Sequence, residues 1–156
     1  MQIRFQKLHP EAVLPRLAYA GDLGVDVHTL KDFVLPPRSH SLVDTGLQLE
    51  IPVLPAPWQE HFQLGCFVWS KSGLSVKSNI EKGAGVIDPN YTGELKIKLY
   101  NHGDTARSFS AGDKVAQLVF QVCARITGVV EADLSHHHQD SQNPRGVQGF
   151  GSSGDS

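Results

Sequence analysis

Gly85-Val86-Ile87-Asp88-Pro89-Asn90-Tyr91-Thr92-Gly93-Glu94 runs directly into Leu95-Lys96-Ile97-Lys98-Leu99-Tyr100. In the second part Leu95, Ile97 and Leu99 alternate with Lys96 and Lys98, the period of a strand with one face in a core and one nearer solvent. In the first part a proline and two glycines mark a bend, so the whole reads as a hairpin. A carboxylate and an aromatic stand three residues apart at its tip. Such a bend can present backbone groups to a small flat ligand, with Asp88 beside it as a base.

Working outward, the same signals recur. Met1 to Leu8 alternates as a first, edge-type strand, and Pro10 to Pro15 is turn-like. Gly21 to His28 is a glycine-punctuated entry to a strand. Ser41 to Ile51 alternates again, after which Pro52, Pro55 and Pro57 forbid regular pairing and make a loop. Phe62 to Trp69 is an apolar strand expected to be buried on both faces. Asn101 to Asp104 turns the chain, Ala111-Gly112-Asp113 turns it again, and Lys114 to Cys123 is a long apolar strand, with Ile126 to Val130 in the same style. No window holds a 3.6-residue period with caps at both ends. Many short strands between turns predict an all-β sandwich or barrel-like fold.

Composition bounds the function. The chain has 156 residues, 40% hydrophobic and 19% charged, with a net charge of −2. That is one domain with a real core, and no basic run favours nucleic acid as partner. No apolar stretch is long enough for a transmembrane helix, and Met1-Gln2-Ile3-Arg4-Phe5 lacks a signal-peptide core, so no membrane partner and a cytoplasmic location are expected. Cys66 and Cys123 lie in apolar runs and read as buried, reduced thiols.

From Ser135 the pattern ends. Residues 1–134 read as the β domain and 135–156 as a linker and glycine-rich arm. By composition the arm is a disordered tail. Its mixture is also that of a phosphate clamp: one arginine fork, glycines, serine hydroxyls and an aromatic face. His136-His137-His138 is read as solvated linker, because adjacent histidines in an extended segment point in different directions.

Five short motifs stand in one order: Gly24-Val25-Asp26-Val27; Ser70-Lys71-Ser72-Gly73-Leu74; Gly83 to Gly93; Gly112-Asp113-Lys114-Val115-Ala116-Gln117-Leu118; and Arg145 to Gly154. Together they resemble the five motifs of the homotrimeric deoxyuridine triphosphate nucleotidohydrolases (dUTPases), from about Leu17 to Gly154. The resemblance implies a jelly-roll-like distorted barrel (a β-clip), a flexible C-terminal arm, and a homotrimer with sites at subunit interfaces. It implies hydrolysis of dUTP to dUMP and pyrophosphate, with Mg²⁺ on the triphosphate.

Residue by residue, Asp88 matches the catalytic aspartate that orients and deprotonates the attacking water. Tyr91 resembles the aromatic that packs under the deoxyribose. Uracil would be read by backbone groups at Gly85, Val86, Ile87 and Lys96, which can pair with an imide edge and reject cytosine's reversed pattern. Ser72 and Gly73 match the phosphate-binding pair of the second motif. Lys71 stands where the family usually has arginine, an ammonium in place of a bidentate fork. Asp26 matches the acid near the metal's water shell, holding Mg²⁺ through water. Gln117 matches a phosphate or water contact. In the arm Arg145 would pair with the γ-phosphate, Phe150 would stack on uracil, and Gly151, Ser152 and Ser153 would add donors.

Two other readings compete. A dCTP deaminase of the same superfamily needs a glutamate base and an arginine-serine-rich motif that Ser70 to Leu74 does not supply, and Glu94 is the only acid close to the bend. A nucleotide-sensing module without catalysis is opposed by the intact Asp88.

Overall fold

The alternating run before Tyr100 folds as expected. Ile97 and Leu99 are fully buried while Lys96 is exposed. The computed structural model describes residues 1–134, of which Met1–Arg125 form one compact unit. In chain order its strands are β1 (Arg4–Lys7), β2 (Arg16–Leu17), β3 (Gly24–His28), β4 (Phe33–Leu35), β5 (Ser39–Asp44) and β6 (Leu47–Glu50). There follow β7 (Phe62–Trp69), a helix α1 (Ser72–Ser78), β8 (Ile80–Gly83), β9 (Val86–Ile87), β10 (Lys96–Asn101), β11 (Arg107–Phe109) and β12 (Lys114–Ala124). A single 3₁₀ turn, Trp58–Glu60, sits in the proline-rich loop. The all-β class predicted from turns and alternation is what the chain adopts.

Every strand pairing is antiparallel. One sheet runs β2-β3-β12-β7-β9 and another β5-β10-β8, with the two-stranded pairs β1-β6 and β11-β4 beside them. Their inner faces share one apolar cluster in which Val27, Leu35, Cys66, Ile97, Leu99 and Leu118 are sealed from solvent. Burying a side chain of that size contributes about 1.5–3 kcal/mol.

Four local expectations need correction. The bend carrying Asp88 is not a simple hairpin. Strand β9 pairs with β7 (Cys66 opposite Ile87, Phe67 opposite Val86), whereas β10 pairs with β5 and β8. From Lys98 to Asn101 both edges of β10 are therefore taken, by β5 and β8, and β9 finds its partner in the other sheet. The segment 88–95 crosses from one sheet to the other. Second, Ser72–Ser78 is helical, too short for its period to register in sequence. It has no side-chain N-cap and ends at Asn79 in the left-handed region (φ 51°), whose N–H returns to Ser75 O at 3.0 Å. Third, Ile126 to Val130 forms no strand, and Ile126, Val129 and Val130 are exposed. Apolar, β-branched composition suits a strand but does not create the neighbour that a ladder requires. Fourth, Cys66 is buried but Cys123 only half so, and in β7 Phe62 and Phe67 are half-buried rather than enclosed.

The alternating run 41–51 also breaks in two, at Thr45-Gly46. Gly46 holds φ +66°, and a Cβ there would lie 3.1 Å from both Ala12 and Leu30 side chains, so only glycine serves.

Candidate functional site

Asp88-Pro89-Asn90-Tyr91 closes as a β-turn, with the Tyr91 N–H donating to Asp88 O at 3.0 Å and proline at the second position, which its ring favours. The Tyr91 hydroxyl then donates to Glu94 O at 2.9 Å, which folds the ring back over Gly93. A Cβ at Gly93 would meet that hydroxyl at 2.4 Å, so the glycine makes room for the ring. The far end of the segment is tied to the β5–β6 junction. Thr45 Oγ1 donates to Leu95 O at 2.6 Å, Leu95 N–H donates to Leu47 O at 2.7 Å, and Gly46 N–H donates to Glu94 Oε1 at 2.9 Å. Glu94 is thus a structural anchor.

The result is an open cleft of about 190 Å³ lined by Val86, Ile87, Asp88, Tyr91, Leu95 and Lys96. It suits a base and a sugar but is smaller than a site that encloses a whole nucleotide. Asp88 is exposed, and among the described residues its carboxylate has no hydrogen-bonded partner. The carbonyl of Gly85 accepts from Val68 N–H at 2.8 Å, Val86 and Ile87 stand in the ladder opposite Phe67 and Cys66, and Lys96 stands opposite Asp44, so each backbone candidate for reading a base has one neighbour strand beside it. The Lys96 ammonium bridges Asp44 at 2.6 Å and Glu94 at 3.3 Å, and those two partners, Asp44 first, raise its pKa.

A second recess, about 240 Å³, is lined by Ala18, Asp22, Leu23, Gly24, Asp26, Lys71 and Gln117. It shares no lining residue with the first. Asp26 opposes Gln117 across the β3–β12 ladder, and Lys114 opposes His28. Lys114 and Gln117 are three apart, which would place them on opposite faces of a regular strand. A β-bulge between Lys114 and Ala116 restores both to the Asp26 face. Lys71, at the start of α1, reaches Asp26 Oδ1 at 2.5 Å, and Lys114 Nζ lies 2.7 Å from Oδ2 as an ion pair off the line of a hydrogen bond. Gln117 Nε2 donates to Ser70 O at 3.0 Å. Gly24 is required beneath it, since a Cβ there would sit 2.0 Å from Gln117 Oε1.

Burial is the largest single influence on Asp26 and opposes its ionisation, but Lys114 and Lys71 together outweigh it and hold the carboxyl below its usual range. His28, buried beside it with Nδ1 unpartnered, is shifted down, first by desolvation; Asp26 pulls the other way, and Lys114, Arg16 and Lys71 repel the proton. The folded protein therefore binds this proton less readily than the unfolded chain. Stability from His28 is full above the unfolded value near 6.5 and is lost as pH falls below it. The melting temperature of the wild type is expected to drop by a few degrees between pH 7.5 and 5.5, and His28→Gln should flatten that slope. Equal slopes in the two proteins would remove His28 as the cause.

Both oxygens of Asp26 face ammonium groups, a setting that repels a cation. As they stand these side chains do not make a direct Mg²⁺ site. Among the described residues no group of three or more His, Cys, Asp or Glu side chains is placed to hold a metal.

The sequence-predicted residues thus fall in two groups. Val86, Ile87, Asp88, Tyr91 and Lys96 line one cleft, and Gly85 precedes it in the chain without lining it; Asp26, Lys71 and Gln117 meet in the other, with Ser72 and Gly73 exposed on the first turn of α1. Arg145, Phe150, Gly151, Ser152 and Ser153, like the histidine run, lie outside the described residues. Lys114 was missed as a site residue, because only the bulge turns it toward Asp26.

The chain is thus an antiparallel β protein with an open cleft beside an exposed carboxylate and a polar recess where Lys71, Asp26 and a strand-borne glutamine meet. The comparisons with known proteins narrow the class. A family model described as dUTPase matches residues 10–154, and the chain belongs to that family. It is 35% identical to the deoxyuridine 5′-triphosphate nucleotidohydrolase of Picosynechococcus sp., across 99% of both chains. To the enzyme of the same name from Solibacter usitatus it is 38% identical, over 99% of this chain and 97% of that one. Among solved structures it resembles the dUTPase of Staphylococcus bacteriophage 80alpha with dUpNHpp, at 23% identity and TM-score 0.78 over 98% of each chain. It also resembles a variant dUTPase from phage phi11 of S. aureus, for which coordination of a structural Mg(II) ion is described, at 20% identity and TM-score 0.68 over 86% of this chain and 97% of that one.

Proposed function

We propose that this protein hydrolyses dUTP to dUMP and pyrophosphate, and that each site is assembled from two protomers of a homotrimer. One observation carries the reading: the cleft at Asp88 and the polar recess at Lys71 are separate in a single chain, sharing no lining residue, although one nucleotide needs groups from both. A neighbouring copy that brings its Lys71 recess against the Asp88 cleft completes the site.

In that site uracil pairs with the main chain at Val86, Ile87 and Lys96, with Gly85 holding the strand close. The Tyr91 ring lies under the deoxyribose, where a 2′-hydroxyl would collide. Lys71, the hydroxyl of Ser72, the amide of Gly73 and Gln117 hold the phosphates, with Lys114 adding positive charge. Mg²⁺ enters as part of the substrate, carried by the triphosphate, with Asp26 offered to its water shell. From the arm, Arg145 pairs with the γ-phosphate, Phe150 stacks on uracil, and Gly151, Ser152 and Ser153 close over the chain of phosphates, excluding bulk water.

Asp88 accepts a proton from a bound water as its oxygen attacks the α-phosphorus in line. The bond from that phosphorus to the α,β-bridging oxygen breaks, and pyrophosphate leaves. Removing dUTP limits uracil incorporation into DNA and supplies dUMP for dTMP synthesis. The free thiols of Cys66 and Cys123 suit a reducing, cytoplasmic setting; burial pushes Cys66 up to about 12, so it is inert as a thiolate.

Pyrophosphate release from each of dUTP, dCTP, dTTP and UTP with Mg²⁺ tests the proposal. Release from dUTP, at least about 100-fold faster than from the others, is expected, since the base edge and the 2′-position are both read by groups that an analogue leaves unpaired or blocked. Ammonia from dCTP would overturn it.

A further inference from the structure

Glu81 takes no part in the reaction above, yet it holds the turn that carries Lys71, Ser72 and Gly73. Its carboxylate accepts one hydrogen bond on each oxygen, from the hydroxyls of Ser70 and Ser75. Ser70 Oγ also accepts from the Lys82 N–H at 3.0 Å, and Ser70 O accepts from Gln117 Nε2 at 3.0 Å. Ser70 and Ser75 bracket Lys71, Ser72 and Gly73. Glu81 thereby fastens both ends of the phosphate-side turn to β8. That strand is itself fixed, with Glu81 opposite Tyr100 in the β8–β10 ladder. It leads through Gly83, Ala84 and Gly85 directly to Asp88.

The clamp is built to stay charged. The hydroxyls of Ser70 and then Ser75 hold the Glu81 carboxyl below its usual range against the opposing effect of burial, with His102 and Lys82 assisting. A glutamate accepting two hydroxyl donors is an effective fixture because charge-assisted hydrogen bonds are shorter and stronger than neutral ones.

We propose that Glu81 is a positioning residue, which fixes on β8 the turn 70–75 that one protomer offers to the Asp88 cleft of its neighbour. The proposal rests on the dUTP-hydrolysis reading. In-line attack tolerates little displacement of the α-phosphorus, and a misplacement of about 1 Å can cost on the order of 100-fold in rate. Loss of the clamp leaves the uracil cleft intact but lets the phosphate turn drift. The burden falls on kcat more than on KM.

The test is steady-state pyrophosphate release from dUTP by the full chain, with dUMP inhibition and melting temperature measured on each variant. Glu81→Ala should lower kcat by roughly 10- to 100-fold with KM changed less than about threefold and dUMP inhibition unchanged. Glu81→Gln keeps an oxygen for one serine and should recover most of the loss. Adding Ser70→Ala to Glu81→Ala should cost little more, since the two act as one unit. If Glu81→Ala does not fold, Glu81→Gln and Ser75→Ala carry the test through a selective fall in kcat. Wild-type kcat in the folded variants overturns the role of Glu81 alone, as does a loss of stability with kcat and KM untouched. A wild type that releases no pyrophosphate from dUTP overturns both this role and the functional reading.

Discussion

Asp88→Asn is expected to lower kcat for dUTP by about 10³-fold while substrate still binds, within the 10²–10⁴ range that a positioned general base supplies. The substitution isolates the chemistry because the Asp88 side chain supports nothing else. Its main-chain oxygen, not its carboxylate, closes the turn with Tyr91, and the side chain is exposed with no partner among the described residues. Asparagine has the same shape and an oxygen that can still orient a water. It cannot take the proton. KM should stay within a few-fold and the affinity for dUpNHpp should be unchanged, the pattern of an interaction made only in the transition state. Near wild-type turnover in the variant would remove Asp88 from the base role, and an equal loss in analogue affinity would make it a binding residue.

Much of this fold was readable because short-range physics set it. Alternation at Leu95, Ile97 and Leu99 placed the central strand, and proline with glycine at 89 and 93 placed the bend. What escaped was non-local. Nothing in residues 85–100 says that β5 and β8 occupy both edges of β10, so the hairpin expectation followed local pattern into the wrong pairing. The helix Ser72–Ser78 hides because its seven residues include glycine, valine and three serines, poor helix formers held by context. The site divides the same way. Asp26, Lys71, Asp88 and Gln117 stood out by motif, whereas Lys114 needs the bulge and Glu81 needs two serines that face it only after folding. Sequence spacing names the groups; strand register decides which of them meet.

Asp26→Asn is the second large effect, because one buried carboxylate holds the ammonium groups of Lys71 and Lys114. Removing one partner of a fully buried pair costs about 3–5 kcal/mol. Here the lysine side chains are 26% and 51% exposed and can turn to water, so the cost is nearer 2 kcal/mol, a fall of roughly 4–8 °C in melting temperature. Lys71 loses its anchor as well, and kcat/KM for dUTP should fall by roughly 10- to 100-fold, mostly through KM. The pH dependence tells which force governs Asp26. Its folded pKa is depressed, so its stabilisation is fully present above the unfolded value of about 3.8 and is lost only as pH falls through the lower folded one. The stability deficit of the variant should therefore be as large at pH 5 as at pH 7.5. Coupling to His28 acts in the same sense, since without the Asp26 charge that histidine resists protonation further and weakens the variant more in mild acid. In a His28→Gln background, a deficit that grew as pH fell from 7.5 to 5 would mean that burial outweighs the two lysines, because a carboxyl whose folded pKa is raised gains stability as it protonates. Asp26 would then be a strained acid awaiting a cation and not the fixed anchor of Lys71 and Lys114.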